Sequence, residues 1–223
     1  MLTKAQSHWQ DNTMNKRTIL VSSLIIGTTA LLLGAVILTQ RNIMSNSNDN
    51  NTRTYANLTE QYQALYGDDF DEQYIAGMLA HHEGAVNMSE QALAKSTRPE
   101  IRQLASDIIA SQSDEMRKMT MWQENWGYEK TYSGGHGAHG GGGTEMAADM
   151  VDMQEALRDK EGAAYDKEFL VQMILHHSQA VEMSRPAEKN AAHTELKMLA
   201  RDVITAQESE IQKMKQWQQD WGY

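Results

Sequence analysis

The chain has 223 residues and a formal net charge of −10, from 30 acidic and 20 basic side chains. That balance excludes a nucleic-acid partner, which needs a basic surface, while the length suffices for one or two domains with a sizeable core. There are 15 Met and 8 His but no Cys, which excludes disulfides, thiolate chemistry and a lipid anchor attached through Cys. Any soft-metal site must therefore use thioether and imidazole.

The first element in chain order is an uncharged apolar run over residues 18–40, TILVSSLIIGTTALLLGAVILTQ. It has about the 20 residues needed to cross a bilayer. Lys4, Lys16 and Arg17 precede it and Arg41 follows, a bias that puts residues 1–17 in the cytoplasm and the bulk of the chain outside. The expectation is a single transmembrane anchor. A cleaved signal peptide is its main competitor, opposed by the length of the run and by the lack of a small-x-small cleavage site. Residues 41–54, rich in Asn and Ser, read as a flexible tether.

Beyond the tether the chain repeats itself. Placing His81-His82 over His176-His177 aligns 67–128 with 162–223 without a gap, and about 24 of the 62 aligned positions are identical. The identities include Asp71/Asp166, Met78/Met173, Met88/Met183, Gln112/Gln207, Glu115/Glu210, Met119/Met214 and a closing Trp-Gly-Tyr. Two units follow, over 55–128 and 144–223, joined by a Gly/His-rich linker over 129–143.

Each unit reads as a helix hairpin. Tyr74, Ile75, Met78, His81, His82, Ala85, Val86, Ser89 and Ala92 recur at helical spacing on one face. Thr97-Arg98-Pro99-Glu100 then has the form of a capping box and places Pro early in the next helix. That helix lines up Ile101, Leu104, Ala105, Ile108, Ile109, Gln112, Met116, Met119 and Trp122. The second unit repeats the pattern over Phe169–Ala187 and Leu196–Trp217. With only two Pro in the chain, nothing interrupts these helices, and a four-helix bundle is the economical way to bury four such stripes. Shorter helical segments precede the units, around Leu58–Tyr66 and Glu145–Lys160. The linker TYSGGHGAHGGGG is too rich in Gly to hold a helix, and His136 and His139 on it read as solvated linker ahead of a weak, exposed metal site.

At 100° per residue Met78 falls between His81 and His82, all pointing toward the core. Folding the hairpin about Arg98 sets residues 78–82 opposite 114–118, so Glu115, Met116 and Met119 face them. In the second unit Met173, His176 and His177 come level with Glu210 and Met214. Imidazole with thioether suits Cu(I), and by the same softness Ag(I), better than hard cations. Glu115 and Glu210 would accept a hydrogen bond from the outer ring nitrogen of a histidine and fix its tautomer, or simply pair with a structural one. Singly, a Met stripe is ordinary core and a His on an apolar face an ordinary hydrogen-bonded residue. The coincidence of Met, two His and an opposing Met at one level, twice, is what points to metal. Met146, Met150 and Met153 share one face of the inter-unit helix and read as core ahead of ligand, and Trp122, Trp126, Trp217 and Trp221 as bundle-end packing.

The ordered pattern Asp71, Tyr74, Met78, His81-His82, Ala85-Val86, Met88, Leu104-Ala105, Gln112, Glu115, Met119, Trp122 resembles the DUF305 family. Asp166, Phe169, Met173, His176-His177, Met183, Gln207, Glu210, Met214 and Trp217 match it again. The resemblance implies a ferritin-like helical bundle in secreted or periplasmic bacterial proteins, whose tandem members include a periplasmic copper-resistance protein that binds copper and silver. It makes Met78, His81, His82, Met88, Met119, Met173, His176, His177, Met183 and Met214 the candidate metal ligands. One departure stands out: Glu83-Gly84 becomes Ser178-Gln179, so the two halves need not bind equally.

Three functional classes compete. The leading one is a non-catalytic metal-binding protein, anchored in the membrane, that sequesters copper-class ions or hands them to a protein partner. A ferritin-like di-iron enzyme needs Glu-x-x-His on two helices, and no histidine here has Glu three residues before it. A metal-independent interaction or sensory module, with the histidines as core, is the remaining alternative.

Overall fold

The computed structural model describes residues 59–129 and 141–223, with the backbone alone at 141–145 and 147. The expected cytoplasmic segment (1–17), anchor (18–40), tether (41–54) and the loop histidines His136 and His139 lie outside the described residues. Among the described residues no helix is long and apolar enough to cross a membrane.

A helical stretch over 59–63 leads into α1 (Asp68–Lys95), α2 (Pro99–Trp126), α3 (Gly141–Arg158), α4 (Gly162–Ser184), α5 (Ala187–Asn190) and α6 (Thr194–Trp221). The all-helical expectation holds: among the described residues there is no strand, only an isolated parallel bridge between Gly67 and Ala191. α1 opens with Asp68, Asp69 and Asp71 and closes with Lys95, charges that complement the helix dipole at both ends. Its buried residues run around most of its circumference, as expected of a central helix. α2 and α6 each bury one face only.

α1 packs on α2, α3 and α4, and α4 packs on α6. α1 and α4 run antiparallel at the centre, with Tyr74 meeting Ser184 and His81 meeting His176. α3 lies along their seam. Met146, Met150, Met153 and Leu157 are buried on it, in keeping with the core reading. The sulfur of Met150 lies only 2.5 Å from where a Cβ on Gly84 would be, so glycine there lets α3 approach. Gln179, at the equivalent position of the second unit, donates instead to Asp149 of α3 (3.2 Å).

Three local expectations are corrected. The Thr97–Glu100 capping box does not form: Arg98 is the N-cap and makes no side-chain cap bond, and its backbone N–H is taken by the Ser96 hydroxyl at 3.2 Å. Pro99 does sit in the first turn. α3 begins at Gly141, inside the Gly-rich segment, because docking of its methionine face outweighs poor glycine propensity at a helix end. The first helix of the second unit stops at Ser184 rather than Ala187, ahead of Pro186, which cannot donate to the helical ladder, and the short α5 follows.

The two hairpins grip each other by reciprocal contacts at their bends. Asp71, fully buried, accepts the backbone N–H groups of Ala192 (3.0 Å) and His193 (2.9 Å) and the His193 ring Nδ1–H (2.7 Å). Trp126 stacks on the same imidazole at 3.7 Å. The counterpart of His193 is Arg98, which pairs with Asp166 (3.4 Å), lies over Trp221 (4.0 Å) and donates to the Tyr223 hydroxyl (3.2 Å). Gly127 and Gly222 make this reach possible. Each takes the left-handed conformation (φ 76° and 71°) that turns the chain after the tryptophan.

Candidate metal centre

The repeated His-His motif lies in the most buried stretch of α1 and α4, where side chains three and four residues apart share a face. His81, His82, His176 and His177 are all fully buried. His82 Nε2–H donates to Glu115 Oε2 at 2.6 Å, and His177 Nε2–H to Glu210 Oε2 at 2.6 Å. The hairpin register read from the sequence is therefore the one observed. Both carboxylates keep a route to the surface, their side chains being 15% and 20% exposed.

The other two histidines join the repeats. The rings of His81 and His176 lie 3.6 Å apart between centroids, and His176 Nε2–H donates to the His81 backbone carbonyl at 2.8 Å. Burial, and then the neighbouring imidazoles, hold both His81 and His176 well below the ordinary histidine pKa, so both are neutral.

This bonding fixes proton positions. In a neutral imidazole whose Nε2 carries the proton, Nδ1 keeps a lone pair. The Nδ1 atoms of His82, His176 and His177 are buried with no hydrogen-bond partner, as are both ring nitrogens of His81. These five account for nearly half of the eleven such atoms among the described residues. Native interiors leave few polar atoms unpaired, so their concentration in the histidine layer is unusual. A metal ion takes an imidazole through a free ring lone pair, the other ring nitrogen being held by a carboxylate or a carbonyl.

The remaining candidates are in place as buried side chains. Met78, Met88, Met119, Met173, Met183 and Met214 are all fully buried, and the Met183 methyl packs within 3.2 Å of a Cβ position on Gly77. Met116 is partly buried against the core. Among the described residues no three or more His, Asp and Glu side chains converge as a ready cage. Nitrogen and oxygen donors alone therefore do not make up a site among these residues. Gln112 and Gln207, one helical turn before the glutamates, have no role that residue spacing alone assigns. Both are buried with an unpartnered Oε1, and their identity across the repeat was the available signal.

Comparison with known proteins follows the same lines. The model of the family described as "Domain of unknown function (DUF305)" matches residues 3–119 and 71–218. The solved structure of CopM in its Cu(I)-bound form is 33% identical, covering 68% of this chain and 96% of that one, with a TM-score of 0.56. CopM in an Ag-bound form obtained by soaking is 32% identical over the same shares, with a TM-score of 0.56. A DUF305 protein from Streptomyces coelicolor, described as secreted, is 26% identical, covering 68% of this chain and 93% of that one, with a TM-score of 0.57. Uncharacterized protein L153 of Acanthamoeba polyphaga mimivirus is 45% identical over 49 residues, 22% of this chain, and the chain spans only 32% of that curated relative. With nearly all of both repeats inside the matched regions and CopM covered almost end to end, the chain belongs to the DUF305 family.

Proposed function

We propose that the buried His/Met layer binds copper-class soft ions, Cu(I) and by the same chemistry Ag(I), without catalysing a reaction. One observation carries this reading: five ring nitrogens of four neutral or carboxylate-backed histidines are buried at one level without partners. Met78, His81, His82 and Met119, with Met173, His176, His177 and Met214, would supply the donors, and Met88 and Met183 a further thioether pair. Glu115 and Glu210 would hold the histidine tautomers. The solved structures of CopM with Cu(I), Cu(II) and Ag support the choice of ion. The two hairpins would form a ferritin-like four-helix core, its units at 55–128 and 144–223, tethered through 41–54 to a membrane anchor at 18–40 and working outside the cytoplasm. The description of the Streptomyces coelicolor relative as secreted supports that location. Sequestration for resistance, or transfer to a protein partner, would be its use.

The test is a Cu(I) titration of the purified protein under a competing chelator, followed by thermal denaturation. A ligand that binds only the folded state raises its stability by mass action, by about 2.7 kcal/mol at a hundred times Kd. Saturable binding with a raised Tm, lost on replacing Met78, His82, Met173 and His177 together, is expected. Absence of both would leave the histidines as core residues of an interaction module.

A further inference from the structure

We infer that the two repeats share a single ion at the His81–His176 junction and do not hold one ion each. This rests on the metal-binding reading above and goes beyond it in assigning the number and ownership of the site. The four imidazoles form one continuous buried row: His82 to His81 is 6.1 Å between centroids, His81 to His176 is 3.6 Å, and His176 to His177 is 5.9 Å. The contact at the middle of the row is made between repeats, not within one.

Three features make the repeats incomplete alone. The tautomer of His176 is set by a carbonyl of the other repeat, that of His81. The ring of His81 carries two unpartnered nitrogens, and its nearest imidazole neighbour is His176. The two carboxylates stand at the outer ends of the row, bonded to His82 and His177, so no anion separates the two inner rings. Two cations placed on either side of a 3.6 Å ring contact would repel across a dry interior, whereas one cation would be flanked by a carboxylate on each side. The row has the charge pattern of one site.

The experiment uses the full chain. Cu(I) is buffered by a competing chelator so that weak surface binding is suppressed, and the ions retained are counted by native mass spectrometry. The expected result is one tightly held ion in the wild type. His81→Gln and His176→Gln should each weaken it about tenfold or more, with helicity by circular dichroism unchanged. Two tight ions in the wild type, or a single variant that keeps one ion at wild-type affinity, would overturn the shared site while leaving copper binding intact. Were either variant to unfold, the wild-type count alone would decide. No retained ion in the wild type would overturn the metal-binding reading, and the shared site with it.

Discussion

The two ends of the α1–α4 seam are built from equivalent repeat positions, yet they are finished differently. At one end the Tyr74 hydroxyl meets Ser184 Oγ at 2.8 Å in the buried core. At the other the equivalent residues are Phe169 and Ser89, and the Ser89 hydroxyl is buried without a partner. The phenol has moved one turn along, to Tyr165 in place of Phe70, where its hydroxyl is also unpartnered. Between these unequal ends, the outer histidines are alike in both repeats, each bonded to a glutamate at 2.6 Å, whereas of the inner pair only His176 has a bonded Nε2. The hairpin bends differ again, Arg98 on one side and His193 on the other. Symmetry is thus tightest at the two His–Glu pairs and looser where side chains fill space or tie the ends.

The largest difference between equivalent positions is expected at the bends. Asp71→Ala removes the acceptor of three hydrogen bonds, two of them to backbone N–H groups at the start of α6. It should cost about 3 kcal/mol. Asp166→Ala removes a single 3.4 Å pairing with an Arg98 side chain that is a third exposed, and should cost about 1 kcal/mol or less. Urea denaturation of both variants would measure the difference, and equal losses would contradict the asymmetry.

A next-largest effect is expected at the histidine layer. Glu115→Gln together with Glu210→Gln removes the carboxylates that orient His82 and His177. Cu(I) affinity should fall about 10–100-fold with little change in helicity, as chelator competition would show. Ser184→Ala strands the Tyr74 hydroxyl in the core and should cost about 1–2 kcal/mol, whereas Ser89→Ala deletes a group that already lacks a partner and should be neutral or stabilising. Thermal melts of the two alanine variants would sharpen the contrast between the seam's ends.

The effect that is smallest near neutral pH comes from the buried imidazoles. His81 and His176 are held neutral, with folded pKa values well below the ordinary 6.5. Above that pH neither the folded nor the unfolded state carries the extra protons. As pH falls through 6.5 the unfolded chain takes them up and the fold does not, so stability of the metal-free protein is lost progressively with acidification. His81→Leu with His176→Leu should flatten that part of the stability profile.

Much of this arrangement was legible in the residues. The gapless repeat and the 3.6-residue periodicity gave the hairpins, and folding each about its bend placed Glu115 beside His82 and Glu210 beside His177, because register within a hairpin follows from counting. What counting could not give was the docking of one hairpin on the other. The ring contact of His81 with His176, and the capture of Arg98 and His193 by the far unit's Asp, Trp and Tyr, depend on tertiary packing with no local pattern. Arg98 shows the cost of local rules: the capping box written around it gives way to the bend contacts its side chain makes. Gly84 is a further case, since only the approach of Met150 explains why glycine is needed there.

The most direct test of the central claim is X-ray absorption at the copper edge on the Cu(I)-loaded protein. Mixed nitrogen and sulfur scatterers are expected, with the nitrogen contribution lost when His81, His82, His176 and His177 are replaced and the sulfur contribution lost when Met78, Met119, Met173 and Met214 are replaced. A spectrum showing only nitrogen and oxygen, unchanged in both variants, would place the ion outside the buried layer and contradict that claim.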